Sequence, residues 1–231
     1  MLFPGDGKMA FARLFVPDKY FANFESLDME IKSRMDRKSL SVKDHMYAIS
    51  ILYLVWSGFD RDSIPFIQKD HLAPIGDVIY DPVQYKERSI PAPAMEFLRS
   101  YASAPVFMSQ SGISPYLVRN RMAMQVSSQA IINAVLNLNG KLEHPGSTFG
   151  ITTISESGRF YRAYLQELDG VKFPVYRKHK RLTPLGMQMY EKIFDRKFSS
   201  VNAVTRYLEL YESYLECFYP EFLKSKFPPL R

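Results

Sequence analysis

The sequence is poor in cysteine, tryptophan and histidine. Cys217 is its one cysteine and Trp56 its one tryptophan, among 231 residues. A single cysteine excludes an internal disulfide and fits a reducing cytoplasm. The four histidines, His45, His71, His144 and His179, are dispersed without ligand spacing. No glycine-rich phosphate loop, H-E-x-x-H or C-x-x-C occurs, and no Ser-His-Asp site is marked. No metal or cofactor is therefore expected. No apolar run reaches transmembrane length, so no membrane span is expected. The first 15 residues lack the charged start, apolar run and small-residue cleavage site of a signal peptide.

What remains reads as a globular chain. Charged residues are 23% and aromatics 14%. Lys and Arg outnumber Asp and Glu by 30 to 24. The pI near 9.2 is suggestive of a polyanionic partner and not diagnostic of one.

Periodicity gives mainly helices around a small antiparallel sheet, an α+β class. Residues 1–17, with Pro4, Gly5, Gly7 and Pro17 among Phe3, Phe11 and Phe15, read as a linker or docking segment. Residues 18–231 read as one domain. Tyr20, Phe24, Leu27 and Ile31 share one face of a first helix over 18–35. Ser39 or Ser41 would cap a second helix, whose apolar residues include Met46, Ile49, Tyr53 and Trp56. Gly58 stops it. Ile64, Phe66 and Ile67 begin a short helix. A small sheet follows from His71–Ile75, a Gly-Asp turn at 76–77, Val78–Tyr80 and Arg88–Pro93.

Later elements are equally patterned. Ala94–Tyr101 reads as a short helix. Ser114-Pro115 reads as an N-cap and N1 proline, starting a helix with Arg119 and Arg121 on its outer side. Ser127–Asn139 carries Ile131, Ile132, Val135 and Leu136 inward and ends at Gly140. Arg177-Lys178-His179-Lys180-Arg181 is the densest basic cluster; it reads equally as a solvated loop or a phosphate-binding site. Thr183-Pro184 caps a helix with Leu185, Met189, Ile193 and Phe194 inward. Val201, Val204, Leu208, Tyr211, Leu215 and Phe218 form a continuous stripe, read first as packing on the chain's own core.

Three stretches together resemble the catalytic domain of tyrosine recombinases, the phage-integrase family. Ser57-Gly58-Phe59-Asp60-Arg61-Asp62-Ser63-Ile64 is similar to the family's T-G-L-R-x-x-E-L. Lys86-Glu87-Arg88-Ser89-Ile90-Pro91 is similar to K-x-R-x-x-P. Ser199-Ser200, Thr205 and Tyr207 are similar to S-S-x-x-x-T-x-x-Y, whose tyrosine is the nucleophile. Glu143–Ile151 occupies the place of H-x-L-R-H-T-F-A-T. The resemblance spans residues 40–215. It implies the family fold, without the separate N-terminal DNA-clamping domain that complete recombinases carry. In the family, the final helical segment can also pack against a neighbouring protomer.

The residues that do the family's chemistry do not match. Cleaving a phosphodiester requires cations at the non-bridging oxygens and an acid for the leaving oxygen. Asp60 stands at the first arginine position and Gly146 at the second. The sheet lysine aligns near Val83, with Lys86 close by. Glu143 replaces the first histidine, and His144 is one place off. Tyr207 thus holds a vestigial nucleophile position, and no catalytic residue is expected.

The resemblance implies a binding protein: a non-catalytic integrase-type fold on double-stranded DNA, of the degenerate kind that acts as a prophage repressor in a bacterial host. The candidate contacts are Lys86, Arg88, Arg119, Arg121, Arg177, Lys178, Lys180, Arg181, Arg196, Lys197 and Arg206. Most would touch phosphates; Arg119 and Arg121, on a helix, would reach base edges. Two alternatives stay open. One is an active recombinase drawing its cations from Arg61, Lys86 and Arg196. The other is a protein-interaction module self-associating through the C-terminal stripe.

Overall fold

The computed structural model describes residues 15–36, 42–104, 114–119, 124–139, 150–173 and 182–226. Ser39 and Ser41, Arg121, Gly140 to Phe149, and the 177–181 cluster lie outside them. The architecture is mainly helical with one two-stranded antiparallel sheet. It divides into two compact units. Residues 23–158 form one; 1–22 and 159–231 form the other. The sequence suggests a single domain from residue 18 onward.

The continuous unit begins with α1 (Phe24–Asp36). Its start is set by a reciprocal cap: Asn23 Oδ1 accepts from the Ser26 amide at 2.9 Å, and Ser26 Oγ accepts from the Asn23 amide at 3.2 Å. The expected start at residue 18 is not seen, because Pro17–Lys19 forms a 3-10 turn ending in extended Tyr20. α2 (Val42–Trp56) is the axis of the unit, packing on α1, α3 (Ala92–Ser103) and α4 (Ser128–Asn139). Ile51, Leu52, Leu54 and Val55 are completely buried, as are Leu27 of α1 and Leu98 of α3. Gly58, at φ +96°, closes α2. Its amide donates to the Val55 carbonyl and the Phe59 amide to the Leu54 carbonyl, a Schellman ending.

Two 3-10 turns (Ile64–Phe66 and Lys69–His71) lead into the hairpin of β1 (Val78–Asp81) and β2 (Lys86–Ser89). Ile79 pairs with Arg88 and Asp81 with Lys86. Residues 71–75 add only a bridge between Leu72 and Ile79, around a bend at Gly76, φ +89°. The expected helix after Ser114-Pro115 is not formed through Arg119. That stretch is extended: the Lys69 amide donates to the Pro115 carbonyl, and the Leu117 amide to Ile67. In α4, Ser127 caps and Ile131 and Val135 are buried, but Leu136 points outward at 57% exposure.

α5 (Ile151–Leu168) passes from the first unit into the second at residues 158–159. The discontinuous unit adds α6 (Pro184–Ile193), α7 (Val201–Phe218) and α8 (Pro220–Lys226). Thr183 and Ser200 are the side-chain N-caps of α6 and α7, accepting from Gly186 and Ala203 amides. Leu185 and Met189 face outward, contrary to expectation; Gly186, Tyr190 and Ile193 make the inward face. The core is aromatic. Phe160 is fully buried, with the rings of Tyr207, Tyr214 and Tyr211 at 5.0, 5.3 and 5.5 Å. Residues 15–22 belong to this unit: Phe15 stacks on Tyr20 at 4.7 Å, and the Tyr219 hydroxyl donates to the Ala22 carbonyl at 2.7 Å.

Candidate nucleic-acid interface

The segment from Arg196 to Arg206 collects most of the candidate residues that the described chain brings together. Phe194 ends α6, and Arg196–Ser200 turns the chain into α7. Arg196, Lys197, Phe198, Ser199, Arg206 and Tyr207 line a cleft of about 410 Å³. Its lining combines three cations, Arg196, Lys197 and Arg206, with one carboxylate, Glu209, and with the apolar Phe198, Ala203 and Leu210. Lys197 and Arg206 are exposed, the Lys197 side chain at 93%. Arg206 makes no ion pair among the described residues. The Arg196 guanidinium lies 4.6 Å above the Tyr207 ring, a cation–π contact.

Glu191 of α6 holds this turn, a role that sequence reasoning misses. Its Oε1 accepts the Phe198 amide at 2.9 Å and its Oε2 the Lys197 ammonium at 3.2 Å. Those donors, the amide foremost, hold the Glu191 carboxyl below the usual glutamate range. No sequence motif marks the pairing, since it spans a helix end and a loop.

Tyr207, which the sequence resemblance aligns with the family's nucleophile, is 6% exposed. Phe160, Phe194 and Phe198 enclose its ring at 5.0, 5.1 and 5.4 Å. One turn further along α7, the Tyr211 hydroxyl donates to Glu167 Oε1 at 2.8 Å, and Lys226 of α8 pairs with the same carboxylate. Burial and Glu167 push the Tyr211 phenol well above its ordinary pKa. Of the C-terminal stripe, Val204, Tyr211 and Leu215 are buried in this unit's core and Leu208 and Phe218 pack against it, while Val201 is exposed.

In the continuous unit the expected contacts behave differently. Arg88 is not an outward cation. It is 5% exposed, because Ile79, Asp81 and Arg88 share the buried face of the hairpin. Arg88 Nε donates to Asp81 Oδ2 at 2.9 Å, and its terminal nitrogen donates to Gln84 Oε1 at 2.9 Å. Gln84 in turn donates to Asp60 at 2.6 Å. Arg119 is also internal, at 2% exposure. It donates to the Leu117 carbonyl at 3.1 Å and to the Tyr116 and Tyr101 carbonyls at 3.4 Å. Its guanidinium sits 5.3 Å from the Tyr101 ring. A guanidinium spent on buried carbonyls cannot read a base edge. Lys86 remains half-buried on β2, opposite Asp81. Arg121, Arg177, Lys178, Lys180 and Arg181 lie outside the described residues. Among those described, no cluster of three His, Cys, Asp or Glu side chains could hold a metal, and no helix is long and apolar enough to cross a membrane.

No family model and no curated protein matches the sequence. The structure is similar to the crystal structure of XerA recombinase, with a TM-score of 0.51 and 11% sequence identity. The match covers 83% of this chain and 64% of that one, so the chain spans under two thirds of its neighbour's length. The fold is tyrosine-recombinase-like. At this identity the likeness establishes the fold alone. Within that recombinase-like fold, the hairpin and the α6–α7 turn carry the motifs read from sequence, and the sites they occupy differ in kind. The hairpin position is filled by an internal acid–base network. The turn before Tyr207 presents Lys197 to solvent, with Arg196 beside it.

Proposed function

We propose that this chain is a non-catalytic, recombinase-like DNA-binding protein acting as a transcriptional repressor of prophage type, similar in kind to the SPbeta prophage repressor. The carrying observation is the Asp60–Gln84–Arg88–Asp81 network. Where the resemblance places the first phosphate-gripping arginine, a carboxylate is hydrogen-bonded into the protein. The nearby guanidinium, Arg88, is buried against Asp81. A phosphate approaching Asp60 meets like charge. Losing one transition-state donor typically costs about 10²–10³ in rate, and an inverted charge costs more. The enclosure of Tyr207 by three phenylalanine rings supports the same reading.

One observation favours a recombinase instead: the Arg196 cation stands over Tyr207. The two readings differ in covalent chemistry. A labelled nicked duplex incubated with the protein and run under denaturing conditions should show no shifted band, while native electrophoresis shows binding. A protein–DNA adduct that Tyr207→Phe abolishes would establish strand cleavage and end the non-catalytic reading. Absence of any duplex binding would end the DNA-binding one.

A further inference from the structure

The two units differ in charge. Residues 23–158 carry 13 Lys and Arg against 14 Asp and Glu; 1–22 with 159–231 carry 17 against 10. The chain's entire basic surplus therefore belongs to the discontinuous unit.

Pairing and burial occupy most of the described cations of the continuous unit. In the continuous unit, Lys32 lies 2.6 Å from Asp28 and Arg34 2.6 Å from Glu30. Arg61 faces Asp62 at 3.8 Å and Arg99 faces Asp77 at 3.9 Å. Arg88 and Arg119 are buried. A cation beside its own carboxylate forms a local dipole whose field fades within a Debye length, roughly 8–10 Å at ordinary salt. Such a cation releases no counterion from DNA unless the pair breaks. The discontinuous unit also holds paired cations, Lys197 on Glu191 at 3.2 Å, Lys224 on Glu221 at 2.7 Å and Lys226 on Glu167. What sets it apart is its basic surplus and Arg206, which is exposed with no ion pair among the described residues.

Resting on the DNA-binding reading above, we infer that the electrostatic grip on duplex phosphates is confined to the discontinuous unit, with the Lys197–Arg206 rim as part of its footing. The continuous unit, hairpin included, contributes no net attraction. This departs from what the sequence resemblance implies, which spreads the contacts over both stretches.

Salt dependence of binding separates the possibilities. The full chain is titrated against a labelled duplex of mixed sequence by fluorescence anisotropy at several salt concentrations. Two double variants are compared with it: Lys197→Ala with Arg206→Ala, and Lys32→Ala with Arg61→Ala. All four side chains are exposed, and melting curves verify that each variant folds. Removing one phosphate-neutralising cation lowers the slope of log affinity against log salt by about 0.9. The first double variant should therefore shed about 0.9 from the slope for Arg206, rising to about 1.8 where DNA opens the Lys197–Glu191 pair, and bind roughly 8- to 60-fold more weakly near 0.1 M salt. The second should match the parent protein. A slope that drops in the second variant, or stays whole in the first, overturns the inference while leaving DNA binding standing. A parent protein that does not bind duplex at all overturns both.

Discussion

Phe160→Ala should be among the most damaging single changes in the discontinuous unit. The side chain is fully buried, and five rings surround it, from Tyr207 at 5.0 Å to Tyr20 at 6.3 Å. An aromatic side chain removes roughly 150–250 Å² from water. At about 25 cal/mol per Å² that is about 4–6 kcal/mol, an upper figure because unfolded chains already hide part of the surface. Phe-to-Ala changes in cores cost about 3–5 kcal/mol, since neighbours close the cavity only partly. Stacked rings tied by hydroxyl bonds have little freedom to collapse, so the upper half of that range is expected. Urea slopes of about 1–3 kcal/mol per molar convert this to a midpoint lowered by roughly 1.3–5 M. Near-UV circular dichroism of the tyrosines, nine of fifteen of which lie in this unit, follows this core together with a contribution from the other unit. Trp56, the only tryptophan, lies at 2% exposure in the other unit and reports there. A shift in the tyrosine transition equivalent to under about 1 kcal/mol would refute the packing argument.

Four further outcomes follow from the same geometry. Arg119→Leu should destabilise the continuous unit by about 1–3 kcal/mol, because buried carbonyls lose their donor; the Trp56 fluorescence transition measures it. Burial, helped by Tyr101 at one site and by Glu167 and Glu212 at the other, pushes Tyr47 and Tyr190 up to about 12. Their folded values lie above the ordinary phenol value of about 10, so their stabilising contribution is complete below that pH and is lost as pH rises through 12. Alkaline titration at 295 nm should show phenols that ionise only with unfolding. Glu191 has a depressed value, so its contribution is present above the ordinary glutamate range and lost as pH falls through the folded value; Glu191→Gln should flatten the acid limb of the stability curve. Tyr207→Phe should leave duplex affinity within about two-fold of the parent in the anisotropy titration, since one hydroxyl is removed and the ring still packs.

Thr183-Pro184 and Gly58 stand where motif and structure agree, whereas the Asn23–Ser26 cap that starts α1 was not read from the sequence. Ser114-Pro115 misled, because serine followed by proline also opens an extended stretch. What decides is a partner distant in sequence: here the Ile67–Lys69 backbone takes up Pro115 and Leu117. Helix faces were legible only when one stripe dominated. α6 offers two, and Gly186, Tyr190 and Ile193 form the buried one. The candidate interface was half legible. Strand alternation identifies two faces but does not say which is buried, so Arg88 read as a surface cation until Asp81 appeared beside it. The turn before Tyr207 was legible from its motif, whereas its brace, Glu191, was not.

The discontinuous unit also bears on how the chain is made. Its first strip, Phe15 to Ala22, is anchored by the hydroxyls of Tyr214 and Tyr219. At the usual 5–20 residues per second, those tyrosines leave the ribosome roughly 10–40 s after the strip they bind. The continuous unit emerges whole within that interval and can fold first. The strip, with Phe15 and Tyr20 uncovered, waits until the last helices arrive. Nascent chains halted before residue 214 should therefore present an aromatic tail to chaperones, and those halted beyond residue 226 and clear of the exit tunnel should not.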